Sequence, residues 1–100
     1  MAALPVEFHF EAAAETVAAA AWYRERGENA GIAFLAELDH AVFQVAQAPA
    51  RWPLYIEGTR RYLFRRFPFA LVYRELHGFI QIVAVAHGRR RPGYWKARQA

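Results

Sequence analysis

The stretch that decides the fold is TRRYLFRRF (59–67), Pro68, FALVYREL (69–76), His77-Gly78 and FIQIVAVA (79–86). In the first two runs, β-branched and aromatic side chains are interleaved with polar ones, as in half-buried strands. Pro68 divides those runs, and His77-Gly78 supplies the next turn. The third run is apolar except for Gln81, which predicts a central strand covered on both faces. Short connections between the runs make the sheet mainly antiparallel.

Upstream the period changes. Residues 5–10 (PVEFHF) alternate with period two and predict a short strand. From Glu11 an Ala-rich run continues to Arg26, with carboxylates in its first turn where the helix dipole favours them. Gly27 is the expected stop, and Asn29 the cap of the next helix. In residues 30–48, Leu35, Leu38, Val42 and Val45 recur at spacings of three, four and three, flanked by Phe34 and Phe43, until Pro49. Two antiparallel helices follow from so short a connection. Residues 49–58 form a loop. The expected order is β-α-α-β-β-β in one domain spanning residues 1–100. The class is α+β: a mainly antiparallel sheet, a helical hairpin on one face and a basic C-terminal tail. Trp22, Leu35, Leu38, Val42 and Val45 are expected between hairpin and sheet.

Composition narrows the function. Of the 100 residues 56% are hydrophobic, but 21 are Ala, leaving 35 large apolar side chains, enough for an ordinary globular core. Cysteine and serine are both absent, which removes disulfides, thiolate chemistry and a serine nucleophile. The four histidines are scattered without metal-ligand spacing, and no phosphate-binding glycine motif occurs, so no metal and no cofactor are expected. No apolar run reaches the ~20 residues needed to span a bilayer, and no leader pattern opens the chain, so a cytoplasmic protein without membrane contact is expected.

The charge is divided. Residues 1–50 carry two basic and seven acidic side chains, net −5; residues 51–100 carry eleven basic and two acidic, net +9. Twelve of the thirteen basic residues are Arg, the side chain suited to bidentate contact with phosphate or carboxylate. Strand periodicity in 60–67 puts Arg61, Leu63, Arg65 and Phe67 on one face and Arg60, Tyr62, Phe64 and Arg66 on the other. Beyond the central strand, His87 is followed by Arg89, Arg90, Arg91, Tyr94 and Trp95. Arginines interleaved with rings suit RNA, and a His beside a Tyr could move protons in 2′-OH attack. The same residues also suit a solvated basic face, with Trp95 folded back onto the core.

Residues 59–98 resemble the C-terminal half of the RelE/ParE superfamily of type II toxin–antitoxin toxins. The resemblance rests on RRYLFRRFPFALVY (60–73) and VAVAHGRRRPGYW (83–95). The order of elements, Trp22-Tyr23 late in the first helix and Phe34 in the second fit the same superfamily. It implies a cytoplasmic growth-inhibiting toxin paired with a cognate antitoxin. A RelE-like member would be a metal-independent, ribosome-dependent mRNA endonuclease, with Arg61, His87, Arg90 and Tyr94 as its catalytic set. A ParE-like plasmid-stabilisation toxin would instead poison DNA gyrase by protein contact, with Arg60, Arg65, Arg89, Arg91 and Trp95 meeting the target. Two departures favour the ParE-like branch: Ala70 and Gly88 stand where RelE-like members carry arginines. A degenerate, non-toxic binding protein of the same fold is the third alternative.

Overall fold

A computed structural model describes residues 3–99; the first two residues and the last of the expected tail lie outside the described residues. The chain runs β1 (Val6–Phe8), α1 (Phe10–Arg26), α2 (Glu28–Gln47), β2 (Arg60–Leu63), β3 (Phe69–Leu76) and β4 (Phe79–His87). Single 3-10 turns at Ile56–Gly58 and Lys96–Gln99 complete it. The four strands lie in the order β1-β4-β3-β2, so the class is α+β with a helical hairpin, as expected. The sheet is mixed. β2–β3 and β3–β4 are antiparallel, but β1 pairs parallel to β4, Val6 opposite Ile80.

β4 is central, as its apolar run predicts, and both of its faces are covered. On the helix side Ile80, Ile82 and Val85 pack with Leu71, Tyr73, Phe34, Leu38 and Val45. On the other side Val83, Ala84 and Val72 lie under Trp95, with Tyr55 and Ile56 at the margin. A register shift between Val72 and Tyr73 advances the β4 partner from Ala84 to Ile82, leaving Val83 as the extra residue of a bulge. The β3–β4 hairpin closes through His77 (φ 34°) and Gly78 (φ 88°), a left-handed pair in which Gly carries no Cβ penalty.

Three expectations change. The strand expected over 59–67 ends at Leu63, because the Glu37 carboxylate of α2 accepts the backbone N–H groups of Arg65 and Arg66 and draws them out of the ladder. The face alternation read for Arg65, Arg66 and Phe67 therefore stops there. Asn29 lies inside α2, and Gly27 serves both helices as cap. His9, whose Nδ1 accepts from the Glu11 N–H, caps α1. The buried face of α2 is Phe34, Leu38, Ala41 and Val45, which leaves Val42 half-buried and Leu35 40% exposed. Trp22, 49% exposed, lies beside the Arg26 guanidinium at 3.4 Å instead of in the core.

Candidate functional site

β4 ends at His87 opposite Phe69, the first residue of β3, and the Gly88 N–H donates to the Pro68 carbonyl at 2.7 Å. The turn of residues 64–68 therefore lies against the segment that follows His87. The His87 ring stands edge-on to Phe69 with centroids 5.0 Å apart, and its Nδ1 accepts the Arg89 N–H at 3.0 Å. Gly93, at φ 83°, then turns the chain back so that Tyr94 and Trp95 face the sheet. Residues 87–94 form a ridge with a cleft on each side.

The smaller cleft, about 310 Å³, opens on the sheet face away from the helices. Arg61, His87, Arg90 and Tyr94, the four residues singled out as a catalytic set, all border it, with Arg91 and Trp95. Among the described residues, no Asp or Glu lines it. Arg61 is held over the Tyr55 ring at 4.2 Å and Arg90 over the Tyr94 ring at 3.8 Å, which fixes both cations by their faces. The larger cleft, about 720 Å³, lies between α1 and the β3–β4 end. Ala18 and Ala19 hollow it, Trp22, Tyr23 and Phe69 give it apolar walls, and Arg89 and Arg90 stand at its edge. Arg60 and Arg65 line neither cleft. The Arg60 guanidinium donates to the Trp52 carbonyl at 2.6 Å, while Arg65 is exposed.

Of the two readings of Trp95, the structure has the folded-back one: it is 1% exposed and belongs to the second core as a lid over β3–β4. The tail beyond it is also structural. Glu15 of α1 accepts from the Val85 N–H at 3.0 Å, the Tyr94 hydroxyl at 2.5 Å and the Arg98 guanidinium at 2.9 and 3.0 Å. Arg98 also donates to the Val83 carbonyl at the bulge and pairs with Glu11 at 2.9 Å. β1 ends opposite Ile82, so this clasp satisfies the free edge of β4 where no strand continues.

The clasp decides what Tyr94 can do. Burial, then the hydrogen bond to Glu15 and its negative charge, push the Tyr94 pKa far above the ordinary tyrosine value. Its hydroxyl is a permanent donor. Glu37 shows the opposite balance: burial alone would raise its pKa, but two backbone N–H donors and the Arg66 side chain hold it below the ordinary carboxylate value. Neither Glu15 nor Glu37 stands out in the sequence. Each is a carboxylate on an amphipathic helix, and its partners lie 28 to 83 residues away.

Among the described residues, no three His, Asp or Glu side chains come close enough to hold a metal ion, and no helix is long and apolar enough to cross a membrane. No curated protein matches the chain. Its residues 6–92 match the family model described as ParE toxin of type II toxin-antitoxin system, parDE.

Proposed function

Because this chain belongs to the family of ParE toxins of type II toxin–antitoxin systems, we propose that it arrests growth by binding DNA gyrase through protein contact and that a cognate antitoxin neutralises it in the cytoplasm. One observation carries this reading over mRNA cleavage: the Tyr94 hydroxyl is spent on Glu15. A general acid or base works with a pKa near the operating pH and within reach of the substrate proton. Tyr94, raised and internally bonded, meets neither condition. The positions of Ala70 and Gly88 supply no charge for an anionic transition state, where one preorganised donor is worth about 10²–10³-fold.

The larger cleft supports the antitoxin half of the proposal. It is apolar, open along α1 and bordered by arginines, which suits an apolar side chain of a polypeptide with acidic neighbours. An antitoxin segment that folds as it binds would bring an acidic stretch against the +9 half of the chain. The test is Tyr94→Phe, which keeps the ring under Arg90 and deletes only the hydroxyl. Growth arrest is expected to persist. Its loss in a variant that still folds would return Tyr94 to proton transfer.

One observation favours a second reading, a ribosome-dependent mRNA endonuclease. Arg61, His87, Arg90 and Tyr94 converge on one small cleft that, among the described residues, no Asp or Glu lines. The His87 Nδ1 is engaged by Arg89, which leaves Nε2 as the nitrogen available for chemistry. Cleavage of mRNA by purified protein, stimulated by ribosomes, would establish this reading, and His87→Gln would then abolish it.

A further inference from the structure

We propose that the arginine-bearing end of the sheet is a sequence-independent site for the phosphate backbone of double-stranded nucleic acid. It stands on a juxtaposition that reaches beyond both clefts, which Arg89, Arg90 and Arg91 border and Arg65 and Arg66 do not. The pairing of Phe69 with His87 and the bond from Gly88 to Pro68 place the turn of residues 64–68 beside residues 88–92. Arg65, Arg66, Arg89, Arg90 and Arg91 thereby share one end of the molecule, and all five are exposed. Among the described residues, only Arg66 of these five has a carboxylate partner, Glu37, which two backbone N–H groups already engage. Like charges gathered this closely repel one another in the free protein and are relieved by a polyanion.

The loops that carry them are pinned. Glu37 ties down the backbone of Arg65 and Arg66, His87 accepts from Arg89, and Arg90 rests on Tyr94. The guanidiniums are thus presented outward from fixed backbone, which suits a stiff ladder of phosphates carrying one charge per about 1.7 Å of duplex. Single strands are held through open aromatic platforms. Beside these arginines the rings are taken: Phe64 and Trp95 are buried, Phe67 and Phe69 are half-buried, Arg90 covers the Tyr94 face, and Arg26 lies over Trp22 on the far wall of the larger cleft. An acidic peptide seated in either cleft would meet Arg89, Arg90 or Arg91 at its edge but would leave out Arg65 and Arg66, which line neither.

The site requires neither gyrase nor antitoxin, so its test is independent of the function proposed above. Purified full-length chain is titrated by fluorescence anisotropy against a labelled 20-base-pair duplex of mixed sequence, the matching single strand and a 20-residue poly-Glu peptide. Duplex binding is expected to be the tightest. Its log–log salt slope should be about −4.5, a loss of about 10²–10³-fold between 50 and 200 mM salt, from five neutralised phosphates. Arg89→Gln with Arg91→Gln, neither side chain bonded among the described residues, should make the slope shallower by about 2. Arg74→Gln, at the far end of β3 and bonded to Gln81, should leave it unchanged. The proposal fails if no duplex binding appears at 50 mM salt, or if the Arg89/Arg91 variant keeps the parent slope. Equal or tighter binding of poly-Glu would reassign the end to an acidic protein, and tighter binding of the single strand would reassign it to unpaired nucleic acid.

Discussion

Replacing Glu15 with alanine removes the acceptor shared by the Val85 N–H of β4 and by Tyr94 and Arg98 of the C-terminal segment. The Val85 N–H would be left unpaired on the free edge of β4, at about 1–3 kcal/mol for an unsatisfied buried donor. Arg98, 11% exposed, would lose a partner that is itself 16% exposed. One-sided removal of a buried ion pair costs about 3–5 kcal/mol, but Arg98 keeps Glu11 and the Val83 carbonyl, so only part of that is lost. The expected total is about 3–4 kcal/mol, a large share of the ~5–15 kcal/mol that stabilises a domain. For a chain of this size that lowers Tm by roughly 12–30 °C. Glu15→Gln, which keeps an amide oxygen for Val85, should lose about half as much. Urea unfolding followed by tryptophan emission reads both variants, since Trp95 is the lid that the clasp secures. A loss below about 1 kcal/mol for Glu15→Ala would mean that the tail hangs on Trp95 alone, and would free Tyr94 for another role.

Leu38→Ala empties the centre of the α2 core face and should cost about 2–5 kcal/mol; a change under ~1 kcal/mol in the denaturant midpoint analysis would place Leu38 outside the core. Replacing Arg89, Arg90 and Arg91 together with Gln should leave Tm nearly unchanged, because these side chains are exposed, while abolishing growth inhibition. Tyr73 donates to the Pro49 carbonyl at 2.7 Å, and burial pushes its pKa from 10.0 up to about 12. A raised pKa of this kind contributes stability that is present below pH 10 and lost as pH rises through 12, so the stability gap between the parent and Tyr73→Phe should narrow across that window in denaturant titrations. The association rate with the cognate antitoxin should fall clearly between about 50 and 500 mM salt with dissociation changing less, and a salt-independent rate would mean that the antitoxin binds through apolar contacts alone.

The parts of the fold legible in the sequence are those whose causes are local. Periodicity within 30–48 and 69–86 marks α2, β3 and β4, because each stripe is read from neighbours three, four or two positions away. The parallel pairing of β1 with β4 is not legible in that way, since its partners lie more than 70 residues apart and either direction satisfies the same alternation. The helical 35-38-42-45 spacing predicts Leu35 inside; the buried stripe is offset there by one residue, to Phe34, which stacks with Tyr23 of α1. At the site, the sequence motifs located the ridge of residues 87–94 and its arginines. They could not separate a Trp that caps a sheet from one that meets a target, since both follow the same basic run. Glu15 and Arg98, which settle that question, are one carboxylate among alanines and one arginine among many.

Whether growth arrest comes from gyrase contact is decided by one paired measurement: purified chain added to a DNA gyrase supercoiling reaction and, in parallel, to ribosomes programmed with mRNA. The prediction is loss of supercoiling, reversed by the cognate antitoxin, with the mRNA left intact. Cleaved mRNA beside unaffected supercoiling would contradict it and would establish the cleft of Arg61, His87, Arg90 and Tyr94 as a nuclease centre.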